Sequence, residues 1–182
     1  MPRSEQKASD EEFGAIGGWE DELFDRPGHL IRRCYQITMA LHALQAQDIG
    51  VTQLQYVLLR SIQHHPGLSQ RRLGEVAGLD RTTVGWVVTT LEGRGLLCRR
   101  DDPSDRRHRP LELTPSGLQK LAEMEPRVHA IQKQLLEPLD EREKSAFIAS
   151  LQKIVTTYNQ HSRAPLRGNE SSEVEAAKSK WK

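Results

Sequence analysis

The feature that most constrains the fold is a short predicted hairpin at residues 95–114, GLLCRRDDPSDRRHRPLELT. Two runs that favour strands, LLCRR and PLELT, flank a polar turn rich in aspartate and arginine. The turn carries three cations near its tip, Arg106, Arg107 and Arg109. Arginines on a narrow hairpin suit contact with phosphates and entry into a groove of a nucleic acid.

The residues ahead of the hairpin have the pattern of a helix-turn-helix. Ser69 is placed to cap a short helix, Gly78 to end it, and Asp80 to cap a longer one. A short helix, a turn with glycine and a longer helix form the helix-turn-helix motif. With the hairpin as its wing, residues 51–114 are predicted to form a winged helix-turn-helix, in a fold that is mainly α with a small β-wing.

The longer helix of this motif has two distinct faces. Its apolar residues recur at the spacing of a buried helical stripe; they are Val84, Val87, Val88 and Leu91. The opposite face carries Arg81, Thr82, Gly85, Trp86 and Thr89. The alternative is an ordinary solvated face, but the wing that follows favours a recognition helix that presents polar side chains to base edges.

Long amphipathic helices are predicted on both sides of this motif, within residues 26–50 and 115–162. Pro126 is expected to kink or split the helix that contains it. These helices carry more apolar surface than a small winged helix can cover. We therefore predict that they are dimerisation helices of a homodimer, with an intramolecular bundle as the alternative.

The ends of the chain differ from the middle in charge. Residues 1–25 carry two basic and eight acidic side chains, so their charge is −6, whereas the remainder carries +7. We predict an acidic, flexible arm at 1–25, a basic body at 26–162 and a disordered tail at 163–182. No apolar run approaches the roughly 20 residues needed to span a bilayer, and no signal peptide is visible, so a cytoplasmic location without membrane contact is expected.

The sequence offers little for catalysis, metals or cofactors. Cys34 and Cys98 lack the spacing of a zinc or disulfide framework. Both are predicted to be buried as small hydrophobes, with a redox-sensing Cys34 as the alternative. The pair His64 and His65 has no nucleophile motif or phosphate loop nearby, so we predict no enzyme, no catalytic residue, no metal and no cofactor.

Residues 28–160 resemble the MarR family of bacterial transcription regulators. The most specific segments are DPSDRRHRPLELT, where Asp105, Arg107, Leu113 and Thr114 match the wing signature of that family, and LDRTTVGWVVTTLEGRGLL ahead of it. The resemblance implies a winged-helix homodimer that binds a pseudo-palindromic operator on double-stranded DNA. Such a protein is usually a repressor, and it releases the operator when a small molecule or an oxidant binds.

The same resemblance implies roles for individual residues. The major-groove contacts would be Arg81, Thr82, Thr83, Gly85, Trp86 and Thr89, the wing contacts Arg106, Arg107 and Arg109, and the DNA-backbone contacts Ser69, Gln70 and Arg71. Either Arg106 or Arg107 would enter the minor groove, while the other pairs with Asp102 or Asp105. Trp86 departs from the family, which more often has a polar or basic residue there. Its indole has three alternatives: contact with a thymine methyl group, folding back over the wing, or lining a ligand cavity.

The segment PGHLIRRCYQ, ahead of GVTQLQYVLL, resembles the branch of the family that controls catabolism of aromatic and N-heterocyclic acids. This likeness implies an effector crevice lined by His29, Arg32, Arg33, Tyr35, Met39 and Tyr56. Arginine can hold a carboxylate with two hydrogen bonds, and tyrosine and methionine can pack on a flat ring. For Met39 and Tyr56 we favour a role in the dimer interface or the core.

Overall fold

The structure is a computed structural model, and it describes residues 19–100 and 109–167. In chain order the elements are α1 (Trp19–Phe24), α2 (Pro27–Ala46), α3 (Gln53–His64), α4 (Gln70–Ala77), α5 (Arg81–Gly93), β1 (Leu97–Arg99), β2 (Leu111–Leu113), α6 (Pro115–Leu135), α7 (Glu141–Tyr158) and a 3₁₀ turn (Asn159–His161). The chain divides into two compact units, with the boundary inside α2, between Leu41 and His42.

The first unit contains α1 and most of α2. Arg26 pairs with Glu22 and lies 5.7 Å from the ring centroid of Trp19. The apolar side chains of this unit are largely exposed; they include Trp19, Phe24, Leu30, Ile31, Tyr35 and Ile37. Helix α1 lies inside the stretch that was predicted as an arm, and residues 1–18 of that arm lie outside the described residues.

The core of the second unit is built from α3 to α6 and the two strands. It contains one apolar cluster whose most deeply buried members come from each of these elements; they are Leu58, Leu59, Leu73, Val84, Val87, Val88, Leu91, Leu97, Leu111, Leu121 and Met124. Burial of this surface is the main force that holds the unit together. The buried face predicted for α5 is therefore confirmed.

Local capping sets where the helices of the second unit begin. Thr52 and Gln55 form a capping box at α3, and Ser69 caps α4 by accepting a hydrogen bond from the Arg72 N–H. Thr114 caps α6, with a proline at the first helical position. These helix starts agree with the capping residues in the sequence. Helix α6 also runs through Pro126 without being split.

The wing is a two-stranded antiparallel sheet. Leu97 pairs with Leu113, Cys98 with Glu112 and Arg99 with Leu111. Residues 101–108, between the strands, lie outside the described residues. The predicted mainly α fold with a small wing is thus the fold observed.

The prediction that both cysteines are buried is wrong, because Cys34 and Cys98 are exposed. Cys98 follows the buried Leu97 on β1, and successive side chains of a strand point to opposite faces. Cys34 lies on α2 between residues that are themselves exposed. Neither position has the enclosed surroundings that were predicted from the residue type.

The predicted tail also needs a correction at its start. Residues 163–167 were expected to be disordered, but they are described and hydrogen-bonded to the rest of the second unit. No sequence pattern predicts this order, because the segment lacks an apolar stripe and is held mainly through its backbone. Residues 168–182 lie outside the described part of the chain.

His42 is a buried polar residue that the sequence reading missed. Its side chain is 5% exposed, and its Nε2 atom has no hydrogen-bond partner among the described residues. Burial lowers the pKa of His42 below the ordinary value, because a charged imidazole would lose its hydration there. The imidazole is therefore neutral at physiological pH.

Candidate nucleic-acid interface

Helix α5 starts at a cap that uses both oxygens of one carboxylate. Asp80 Oδ1 accepts hydrogen bonds from the backbone N–H groups of Thr82 and Thr83, both at 3.0 Å. Its Oδ2 accepts one from the Thr83 hydroxyl at 2.7 Å. The backbone hydrogen bond from Thr83, followed by the one from its side chain, lowers the pKa of Asp80, so the cap stays ionised at neutral pH.

The face of α5 opposite the core is open to solvent. Arg81, Thr82 and Thr89 are exposed, and the Trp86 side chain is 68% exposed. Thr83 differs from its predicted neighbours, because it is half-buried and its hydroxyl serves the cap. The face therefore presents one cation, short hydroxyl side chains and one large indole.

Helix α4 is held close to α5 by a glycine. A Cβ atom added to Gly74 would lie 2.9 Å from the carbonyl oxygen of Leu79 and 3.2 Å from Val84 Cγ2. Only a residue without a side chain allows this approach of the two helices. The turn between them begins at Gly78, which has a φ of +64° and caps α4 in the left-handed conformation.

The start of α4 holds the three residues predicted to touch the DNA backbone. Ser69 is engaged in capping, and Arg71, whose side chain is 86% exposed, pairs through its Nε atom with Glu75 Oε1 at 3.1 Å. Gln70 lies over Gly85 of α5, since a Cβ at Gly85 would be 3.2 Å from the Gln70 Nε2 atom. Gly85 is therefore partly covered by Gln70 and is half-buried. We call α4, α5 and the wing, residues 70–113, the reading head.

The base of the wing is fixed by two ion pairs. Arg99 Nε lies 3.1 Å from Glu92 Oε2 on α5, and Arg100 Nε lies 2.8 Å from Glu112 Oε2 on the β2 side. The first pair links the wing to the recognition helix. Sequence reasoning missed all four residues, although opposite charges on the two flanking runs were a visible signal.

The wing tip is only partly covered by the structure. Arg109 is described and exposed. Arg106 and Arg107, and the partners Asp102 and Asp105 suggested for them, lie outside the described residues. Their roles stay predictions.

Five of the six predicted effector residues lie on α2. Arg32, Arg33 and Tyr35 are exposed, whereas His29 and Met39 are half-buried. The spacing of Arg32, Tyr35 and Met39 places them on one side of the helix. Arg33 lies about 100° around the axis from Arg32, and its guanidinium donates to Gln36 Oε1 at 3.1 Å.

Tyr56, the sixth predicted residue, belongs to a polar cluster between α3 and α6. Its hydroxyl donates to Glu125 Oε2 at 2.9 Å, and Arg60 and His129 lie 3.5 and 3.6 Å from Glu125 Oε1. Burial, with the hydrogen bond and charge of Glu125 as further causes, raises the pKa of Tyr56 to about 12. The phenol is therefore a neutral donor. Sequence reasoning missed Glu125, which lies 69 positions from Tyr56.

Two further findings concern membrane spans and metal sites among the described residues. They hold no helix that could serve as a membrane span. They also bring together no group of three or more histidine, cysteine, aspartate or glutamate side chains that could bind a metal ion.

Comparison with known proteins places this geometry in a family. The MarR family model matches residues 51–108, which begin just before α3 and end in the wing. The HTH-type transcriptional repressor NicR of Pseudomonas putida is 32% identical over 134 residues, covering 74% of this chain and 85% of that protein. The chain belongs to the MarR family. It is therefore a DNA-binding transcriptional regulator and not an enzyme.

Solved structures of MarR-type regulators have the same fold. BpsR of Bordetella bronchiseptica, whose DNA binding is regulated by 6-hydroxynicotinic acid, is 31% identical with a TM-score of 0.67, over 71% of this chain and 93% of that one. The repressor CouR, bound to a 23-mer DNA duplex, is 27% identical with a TM-score of 0.69, over 74% and 95%. The predicted family and fold class of this MarR-family regulator are confirmed.

Proposed function

We propose that this MarR-family regulator acts in the cytoplasm as a homodimeric repressor of a pseudo-palindromic operator, which it releases when a small aromatic or heterocyclic carboxylate binds. The observation that carries the proposal is the exposed polar face of α5, capped at Asp80 and continued by a wing whose base is held by ion pairs. A helix of this kind fits the major groove with its first residues at the base edges. The similarity to CouR, a repressor whose structure holds a 23-mer DNA duplex, supports double-stranded DNA as the partner.

The operator contacts divide between base readout and backbone contact. Arg81, Thr82, Gly85, Trp86 and Thr89 would face the bases, while Thr83 would support the cap. Exposure of the Trp86 indole favours contact with a thymine methyl group over a buried position in a cavity. Gln70 and Arg71 would contact phosphates, and Ser69 would hold the start of α4.

The wing would supply a second set of contacts with the operator. Arg106 or Arg107 would enter the minor groove, which favours arginine where it is narrow, as in A/T-rich DNA. Arg109, exposed at the start of the returning strand, would lie near the phosphates. The ion pair between Arg99 and Glu92 supports this arrangement, because it ties the wing to the recognition helix.

The dimer is supported by α7, whose apolar side chains are not buried against the described part of the chain. All of α7 lies in the described part of the chain, and none of its residues is buried. Its exposed apolar side chains form a stripe; they are Phe147, Ile148, Ile154, Val155 and Tyr158. A second copy would cover such a stripe and place two reading heads about one helical turn, roughly 34 Å, apart on the duplex.

The effector would bind through α2, where Arg32 or Arg33 would hold its carboxylate and Tyr35 would pack against the ring. His29, Met39 and Tyr56 stay predicted effector residues, with a role in the dimer interface or the core favoured for Met39 and Tyr56. The regulation of BpsR by 6-hydroxynicotinic acid supports a carboxylate on a heterocyclic ring. A coupling of about 1 to 3 kcal/mol between effector and operator would weaken DNA binding by roughly 5- to 150-fold.

Replacing Arg81 with alanine tests the operator contact. We expect operator affinity to fall roughly 5- to 150-fold, since a base or phosphate contact by arginine contributes about 1 to 3 kcal/mol. Affinity is measured by gel shift at two salt concentrations with a duplex that the wild-type protein selects from random DNA. The variant Arg142→Ala, which removes an exposed arginine from α7, should bind like the wild type. Equal losses in the two variants would show only a general charge effect.

Thermal shift with 6-hydroxynicotinate tests the effector class. The melting temperature of the wild-type protein should rise with ligand concentration, because a ligand that binds the native state stabilises it. The double variant Arg32→Ala and Arg33→Ala should lose the rise, while Cys34→Ser should keep it.

Oxidant sensing through Cys34 is the competing hypothesis, favoured by the exposure of its thiol. That hypothesis predicts the opposite result. Wild-type protein would then ignore the acid, and Cys34→Ser would no longer release DNA when it is oxidised.

A further inference from the structure

The residues that follow α7 return to the helix-turn-helix. The Leu166 N–H donates to Asn159 Oδ1 at 2.9 Å, and Asn159 Nδ2 donates to the Leu166 carbonyl oxygen at 3.0 Å. One carboxamide thus closes residues 159–166 into a loop. We call residues 162–167 the strap.

The end of the strap completes the hydrogen bonding of α4. The Arg167 N–H donates to the carbonyl oxygen of Glu75 at 2.8 Å. Glu75 lies in the last turn of α4, where carbonyl groups have no partner within the helix. The strap therefore binds at a carbonyl group that needs a hydrogen-bond donor from outside the helix.

Leu166 supplies the apolar contact of the strap, although the residue is 44% exposed. A Cβ atom at Gly78 would lie 3.0 Å from Leu166 Cδ2 and 3.3 Å from its Cγ. The glycine therefore has two functions, since it adopts the left-handed conformation that ends α4 and leaves room for the leucine.

The strap spans an open space between α4 and α7. A cavity of about 320 Å³ separates these elements. Its wall is mainly apolar and comes from both helices and the strap; the lining includes Ala77, Gly78, Ile154, Val155, Tyr158 and Leu166. Because close packing does not fill this space, hydrogen bonds and one leucine hold α7 to α4 there.

Helix α4 is in turn rigidly joined to α5. The close approach at Gly74 and the buried Leu73 and Val84 make the two helices one packed body. A restraint on the end of α4 is therefore a restraint on the recognition helix.

We propose that the strap positions the reading head relative to α7, with Asn159 and Leu166 as its positioning residues. The inference rests on the proposed function, in which α7 lies at the dimer interface and two heads engage one operator. Two heads that are already oriented lose less freedom on binding than two that rotate, so the restraint raises affinity without touching DNA. The strap would matter for a full operator and not for a single half-site.

The test uses the full chain with Asn159→Ala and Leu166→Ala combined. The operator is the duplex that the wild-type protein selects from random DNA, and a second duplex carries one half-site. We expect affinity for the full operator to fall about 5- to 10-fold and half-site affinity to change less than 2-fold. Gln160→Ala, an exposed change in the same turn, should leave both affinities unaltered.

Two measurements check that the variant still forms the dimer and that its loop has opened. Light scattering should give the same mass for variant and wild type, and trypsin should cut after Arg163 faster in the variant, because the loop is no longer closed. Equal losses on both duplexes would overturn the positioning role, since they would mean damage to the head itself. Unchanged affinities with faster cleavage would overturn it as well. A wild-type protein that selects no duplex would instead overturn the proposed function.

Discussion

Replacing Gly117 with alanine should lower the free energy of unfolding by about 3 kcal/mol or more. A Cβ atom at this position would lie 1.9 Å from the carbonyl oxygen of Leu96 and 2.9 Å from its carbonyl carbon. The neighbour is backbone, and it is fixed because the Leu96 oxygen accepts a hydrogen bond from the Thr114 N–H at 3.2 Å. The start of α6 would have to move away from Leu96, the residue before β1. Urea denaturation followed by circular dichroism measures the change.

The matched control is the same substitution at Gly93. A Cβ there meets nothing within 4 Å, and the residue ends α5 with an exposed position. Alanine should be neutral or stabilise by up to about 1 kcal/mol, because it has the higher helix propensity. If Gly117→Ala were as stable as Gly93→Ala, the close approach of Gly117 to the Leu96 carbonyl group would be wrong.

Replacing Leu91 with alanine should lower the free energy of unfolding by about 2 to 5 kcal/mol. Leu91 is 0% exposed and lies in the apolar cluster beneath the last turn of α5. Its loss removes buried surface and leaves a cavity that the tightly packed helices can close only in part. The same denaturation experiment measures this loss.

Thr89→Ala, two residues away on the opposite face, separates stability from DNA binding. Because Thr89 is exposed, the free energy of unfolding of the Thr89→Ala protein should differ from that of the wild type by less than about 0.5 kcal/mol. Its operator affinity should nevertheless fall, whereas Leu91→Ala should bind normally at temperatures where it stays folded. The opposite pattern would show that the buried and exposed faces of α5 have been exchanged.

The local parts of the fold could be predicted because each rests on residues close together in the sequence. The caps at Thr52, Ser69, Asp80 and Thr114 join groups two or three positions apart. The buried face of α5 follows from its helical spacing. Exposure of α2 and α7 likewise agrees with the predicted surplus of apolar helix surface.

The parts that could not be predicted join residues distant in the sequence. Glu125 meets Tyr56 across 69 positions, and the strap reaches Glu75 from Arg167. Cysteine burial was predicted from residue type alone, and strand alternation at Cys98 decided against it. A residue's type gives its average environment, whereas its place on an element decides its actual environment.

The amino-acid sequence alone determined the order of the helices, their caps, the wing and the family. Short-range hydrogen bonding and periodic burial of apolar side chains depend on neighbours along the chain. Only the tertiary structure decided that Thr83 belongs to a cap, that Glu125 binds Tyr56, and that residues 163–167 fasten α7 to α4. The reason is physical, because those contacts form between surfaces that meet only after the chain has folded, and no local pattern records which surfaces will meet.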